Sequence, residues 1–399
     1  MNKKRQFKKN RLIFFNQTLA FIFILLLPTQ FGKHFFFDFS YINGIRTDYL
    51  APTFYLIDII TLLLITLNIK TAFKFFKNKK LLLFLSILIV NSFLALSQQL
   101  SFYKLIRIME LLSIAAIFSS KILSKQKIIT AFTVTAVLEF LLAVAQFINK
   151  GSIQGVFYFF GERYFSSSTP GVAKISIGGI EAIRAYGTFS HPNSLAGFYL
   201  LLYFFVLTIN SPKVSFYLKN LGLLIFSLLI FISFSKTAII VYLVLNFIYL
   251  FKTNKKSFCR ICFLAKLLVI FITSFVFFIP QGDSFNLYKR VILNGNAFKI
   301  MSQKPFFGVG LNSYLLAQKQ FPTKFYDFLN QPVHNIFLLF FSEIGLVVGS
   351  FLILIFFNKI KKFILEKPYI FMVILLTGLL DHYWLTLIQN FLLLGIIVW

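Results

Sequence analysis

Four histidines occur in 399 residues, at positions 34, 191, 334 and 382, and three of them stand in short polar motifs: HPNS at 191–194, HN at 334–335 and DH at 381–382. Imidazole is the side chain whose ordinary pKa, about 6.5, suits proton transfer near neutrality. Three cations accompany them: Arg184, Lys236 in the run SKT (235–237), and Arg290. Asn, Ser and Thr in HPNS, SKT and HN are natural helix N-caps, so His191, Asn193, Lys236, His334 and Asn335 are expected at helix starts. Three helix N-termini on one face, reinforced by Arg184, Lys236 and Arg290, would attract an anion. The plainer reading leaves these cations snorkelling to lipid headgroups, with His334 and His191 only shaping the chain where it enters a helix.

Other ionisable groups have simpler roles open to them. Glu343 lies in an apolar run, where it either orients His334 or pairs with a basic residue, since a carboxylate at membrane depth needs a partner. Asp58, Glu110 and Glu139 also interrupt apolar runs, and pairing with Lys104, Arg107 or nearby hydroxyls is simpler than a proton path. Asp381 beside His382 is either an oriented base or half a metal site, and no third ligand stands at suitable spacing, so no metal is expected. Cys259 and Cys262 form a lone CRIC without the second pair that zinc would need. Gly308 and Gly310 read as turn chemistry.

The elements that must position these groups are transmembrane helices. The chain is 58% hydrophobic and only 13% charged, with a mean hydropathy of +0.82, which excludes a water-soluble surface. Its 57 Phe lie in long apolar runs rather than between Lys and Arg, which argues against a nucleic-acid platform despite a net charge of +28. About twelve apolar stretches, from 12–28 through 384–399, approach the length that crosses ~30 Å of hydrocarbon. With the N-terminus inside, the segments 1–11, 69–80, 119–127, 209–219, 252–266 and 358–367 hold 25 of the 40 cations, and Glu366 is the one acid among them. The positive-inside rule selects that topology and puts all four histidines outside. The basic N-terminal run is then a cytoplasmic anchor, and no small-residue cleavage site follows the first apolar stretch. The expected fold is an all-α polytopic membrane protein, its outer face capped by two long loops, about 149–189 and about 280–333. At that face a lipid-carried diphosphate fits, its phosphates at the interface and its chain between helices.

Three stretches resemble the O-antigen ligase and O-antigen polymerase family of bacterial membrane glycosyltransferases: RAYGTFSHPNSLAGFYLL at 184–201, ISFSKTAIIVYL at 232–243, and RVILNGNAFKIMSQKPFFGVGLNSY at 290–314 followed by VHNIFLLFFSEIGLVVG at 333–349. A weaker echo is GLLDHYWLTLIQNFLLLG at 378–395. The resemblance divides the chain into an N-terminal bundle (1–183), a ligase-like core (184–350) and C-terminal helices (351–399). It implies glycan transfer from an undecaprenyl diphosphate carrier to a lipid or glycan acceptor at the outer face of the cytoplasmic membrane, without cofactor or metal. Arg184 and Arg290 match the family's diphosphate-binding positions and His334 its loop histidine, the implied base for the acceptor hydroxyl. His191, Asn193, Asn335, Glu343, Asp381 and His382 are expected to line the substrate. Lys236 stands where the family usually has Arg, keeping the charge but losing the two-pronged hydrogen bonding of guanidinium. Ligase and polymerase are equally implied. The competing class is a transporter of lipid-linked sugar, which needs ionisable or helix-breaking groups at the midplane, whereas the polar motifs here gather at one face. A non-catalytic scaffold of the same fold is a further alternative.

Overall fold

In the computed structural model, residues 2–177, 180–252, 284–321 and 329–398 are described, with 264, 267, 268 and 271 singly. Cys259, Cys262 and most of the apolar stretch 263–279 lie outside the described residues.

Long apolar runs free of internal Pro produce helices where the sequence predicts them, except α3, which forms in the basic segment 69–80 expected as a loop: α1 (Asn2–Leu26), α2 (Leu56–Leu67), α3 (Ile69–Phe76), α4 (Lys79–Phe93), α5 (Gln98–Ser119), α6 (Lys125–Asn149), α7 (Pro192–Thr208), α8 (Phe216–Ile232) and α9 (Lys236–Lys252). There follow α10 (Ser284–Gln303), α11 (Tyr314–Gln318), α12 (Ile336–Ile344), α13 (Leu346–Glu366), α14 (Pro368–Gly378), α15 (Tyr383–Thr386) and α16 (Ile388–Ile397). By length and composition α6 alone among the described helices is a complete span, and the bent pairs α2/α3 and α12/α13 bring the number to three at most. The other apolar helices, α7, α8, α14 and α16 among them, are shorter.

The expected single stretch 334–357 is broken. Gly345, at φ +89°, ends α12, and α13 leaves at 111° to it. The break is held by the loop 304–311, where Val309 N donates to Ser342 O, Gly310 N to Glu343 O and Val347 N to Pro305 O. Gly308 and Gly310 carry positive φ, and a Cβ on either would meet backbone atoms of 342–343 or Ala95 within 2.6 Å. Turn chemistry here therefore also allows close packing.

The described parts of the two long segments expected outside contain regular structure. The first carries an antiparallel hairpin, β5 (Lys174–Ile177) with β6 (Ile180–Ile183), and the second contains the 20-residue helix α10, which stops two residues before Pro305. Two more small pairings, β1 (Gly32–His34) with β4 (Thr53–Tyr55) and β2 (Tyr41–Ile42) with β3 (Ile45–Arg46), cap the loop between α1 and α2.

At the centre stands α7, whose residues Ser194–Phe204 are all buried. It packs against α8, α9, α14 and α16, and one apolar cluster joins residues from Leu19 to Ile397, drawing on all three expected segments. A helix apolar on every side belongs in a bundle interior. Buried amides join its neighbours where lipid offers no substitute: Asn390 donates to Ser194 O at 3.0 Å, and Tyr203 Oη to Asn246 at 2.8 Å. Gly197 lets α15 approach, since a Cβ there would lie 2.2 Å from Tyr383 Oη.

Candidate active site

His191 is itself the N-cap of α7, accepting from Asn193 N at Nδ1 over 3.1 Å, with Pro192 at the first helical position. This frees the Asn193 side chain, which sequence reasoning treated as a cap. Its Oδ1 accepts from Arg184 Nη2 at 2.6 Å, and its Nδ2 donates to Asp381 Oδ2 at 2.9 Å. Arg184 is further fixed by Nε, which donates to Ser233 O at 2.8 Å in the turn between α8 and α9. One line of contacts therefore runs from the hairpin β5–β6 through the start of α7 to the loop after α14.

Asp381 lies between the remaining histidines. Its Oδ1 accepts from His382 N at 2.8 Å and stands 3.7 Å from His334 Nδ1. That second separation is longer than a hydrogen bond, and His334 Nδ1 is buried without a hydrogen-bond partner among the described residues. His334 Nε2 lies 3.2 Å from Gln331 Oε1. The His334 and His382 rings are 5.1 Å apart, and Tyr49 meets His382 edge-on at 5.5 Å. His382 Nδ1 is 2.7 Å from Thr386 Oγ1.

The local physical chemistry separates charged from neutral members. Burial alone would raise Asp381, but His334, His382 and His191 outweigh it and hold the carboxyl well below its usual range. Burial pushes His382 down to about 3 against the opposing pull of Asp381. His191 also falls to about 3, through burial and then Arg184. Burial lowers Arg184 to about 10, which leaves it cationic near neutrality. The cluster therefore presents an ionised Asp381 and a cationic Arg184, with burial disfavouring the charged form of His191 and His382.

The remaining expected residues stand on other elements. Asn335 caps α12 by accepting from Phe337 N and Leu338 N, and its Nδ2 donates to Leu379 O at 3.2 Å, two residues before Asp381. Glu343, in α12, faces Lys104 and the backbone of Asn312 and Tyr314 rather than His334. Lys236 is exposed at the first position of α9. Arg290 is half-buried on α10 and makes no hydrogen bond or ion pair among the described residues. Asp58, Arg107 and Glu110 form the structural pairing that the sequence suggested, with Arg107 Nη1 2.6 Å from Asp58 and 2.7 Å from Glu110. Glu139 accepts from Thr188 N and Oγ1 at 3.0 and 2.5 Å.

Several contributors were missed. Tyr49 and Gln331 touch the histidines directly, Lys289 acts on His382 electrostatically, and Arg163, donating to Ser190 O, acts on Tyr49 and His34. No local motif marks any of them. His334 also corrects the view that Asp381 and His382 lack a third metal ligand: the three offer ligand atoms all within 4.8 Å of one another. Asp381 is already engaged by Asn193 and by His382 N, and His382 Nδ1 faces Thr386, which suits a hydrogen-bonded base at least as well as a cation.

An apolar helical bundle whose helix starts and interhelical loop converge on histidine, carboxylate and guanidinium defines a membrane protein with the groups for acid–base and anion chemistry. Residues 221–357, about a third of the chain, match the O-antigen ligase family model. The match includes Lys236, Arg290, His334, Asn335 and Glu343; Arg184, His191, Asn193, Asp381 and His382 fall outside it and reach the site through the fold. No curated protein matches the chain.

Proposed function

We propose that the chain transfers a glycan from a lipid diphosphate, of the undecaprenyl type, to an acceptor hydroxyl at the external face of the cytoplasmic membrane, as a ligase or polymerase. The observation that carries this reading is the line Arg184–Asn193–Asp381 ending beside His334, which sets an anion-binding cation and a candidate base in one connected site.

In this mechanism His334 donates from Nε2 to Gln331 Oε1 until the acceptor arrives; once Gln331 is displaced, Asp381 favours the tautomer with the proton on Nδ1, leaving Nε2 to accept one. An acceptor hydroxyl displaces Gln331 from Nε2, gives up its proton there and attacks the anomeric carbon. The bond from that carbon to the phosphate oxygen breaks, and its electron pair leaves on the diphosphate. Arg184, Arg290 and Lys236 receive the developing charge. Nη1 of Arg184, which has no partner among the described residues, is the open donor for that purpose.

The test is transfer from a lipid-diphosphate oligosaccharide in reconstituted membranes, with and without a metal chelator, for the native chain, His334→Ala and Arg184→Gln. Chelator-resistant activity that falls at least about a hundredfold in His334→Ala supports the base role. Loss on chelation, restored by a divalent cation, assigns His334, Asp381 and His382 to a metal instead. Movement of intact donor across the bilayer without cleavage sinks the transferase reading.

A further inference from the structure

At the end of the bundle away from the histidines, α3, α5 and α13 enclose a second polar site. Helix α5 connects the two ends: Lys104, near its start, donates to Leu385 O beside the histidine cluster, while Ser119, about 22 Å further along the helix axis, lines a cleft of about 340 Å³. Thr71, Lys74, Asn78, Phe356 and Lys359 also line it, and none of its lining residues is acidic.

The elements around the cleft are arranged for an interface. Helix α3 leaves α2 at 83°, at a bend tied to α1 by a reciprocal pair of amides, Asn16 with Asn68, at 2.8 and 2.9 Å. A short helix set at 83° to its predecessor, with Lys70 and Lys74 one turn apart, exposed Phe73 and buried Ala72, has the amphipathic form that lies along a membrane surface. Opposite it, Lys80 Nζ donates to Ile355 O at 3.1 Å, and Phe84 meets Phe356 edge-on at 5.8 Å, joining α4 to α13. The cleft is thus walled by packed elements from three parts of the chain.

Its donors fit a phosphate. Lys74 and Lys359 supply two ammonium groups to the lining. Asn78 spends Oδ1 on capping α4, accepting from Lys80 N and Leu81 N, which leaves its amide N–H groups without a partner among the described residues. The Thr71 hydroxyl likewise has none. The apolar rings of Phe75 and Phe356 beside these donors suit a ligand with both a phosphate and acyl chains.

We infer that this cleft binds the phosphate of an anionic phospholipid headgroup, anchoring the end of the bundle opposite the histidine cluster to its leaflet. The basic segments 69–80 and 358–367, with nine cations between them, supply the field that draws anionic lipid to this end, and the cleft supplies the specific contacts.

The test uses the full chain in nanodiscs of phosphatidylcholine, with or without phosphatidylglycerol, reading the thermal midpoint and the lipid retained in native mass spectrometry. Phosphatidylglycerol is expected to raise the midpoint and to be retained, and Lys74→Gln/Lys359→Gln to weaken retention by about an order of magnitude. The control Lys77→Gln/Lys361→Gln removes the same charge from the same two chain segments outside the cleft. If it weakens retention equally, or if phosphatidylglycerol has no advantage over phosphatidylcholine in the native chain, the site is overturned. If inorganic phosphate added to phosphatidylcholine discs gives the same stabilisation, and this is lost only in the cleft variant, the ligand is a soluble phosphate and the lipid assignment fails.

Discussion

Asn193 and Asp381 are 188 positions apart in the chain, yet the amide of one donates to the carboxylate of the other at 2.9 Å, and this bond closes the candidate site. It brings the guanidinium side of the cluster, at the start of α7, against the histidine side, in the loop between α14 and α15.

Asn193→Ala removes both ends of that bridge and strands Asp381 Oδ2 and Arg184 Nη2. A buried polar group left unpaired costs about 1–3 kcal/mol, so the thermal midpoint is expected to fall and transfer to drop at least about tenfold. Assays of unfolding and transfer on the same preparation check this. Full activity would mean that the two halves do not depend on their connection.

The pH dependence of stability has a definite sign at His382. Burial holds its folded pKa near 3, against about 6.5 in the unfolded chain. Between those values the unfolded state binds the extra proton, so stability is present above about 6.5 and is lost as pH falls towards 3, by at most about 1.4 kcal/mol per unit. Asp381, held low, adds its own loss only once pH falls below about 4. Unfolding midpoints in detergent from pH 7 to 4 should fall for the native chain and fall less steeply for His382→Asn; parallel slopes would contradict the assignment.

Gly197→Ala is expected to destabilise the bundle by about 1–3 kcal/mol, because the new methyl would lie 2.2 Å from Tyr383 Oη and 2.4 Å from its ring. Tyr383 follows Asp381 and His382 directly, so transfer should fall together with the unfolding midpoint. An unchanged midpoint would show that α15 can retreat without penalty.

Arg107→Met should destabilise by about 3–5 kcal/mol, since it leaves Asp58 and Glu110 without their cation in an apolar surrounding. Restoring much of that loss with the additional change Asp58→Asn would confirm an ion-pair role, whereas equal stability of Arg107→Met and the native chain would rule it out.

The sequence by itself determined that this is a helical membrane protein, because 58% hydrophobic residues in long Pro-free runs have no other solvent and no other way to satisfy their backbone. It also determined most helix positions and the polar motifs HPNS, SKT, HN and DH, since caps and apolar runs are local features. Only the tertiary structure decided which motifs meet. It joined Asn193 to Asp381 and set His334 beside them, while Glu343 turned to Lys104 and Arg290 fell on α10. It also broke 334–357 at Gly345, where the loop 304–311 packs into the bend, and recruited Tyr49, Gln331 and Lys289 to the histidines. Such pairings depend on how helices far apart in sequence pack and bend, and a one-dimensional pattern of apolar and polar residues carries no distance between them.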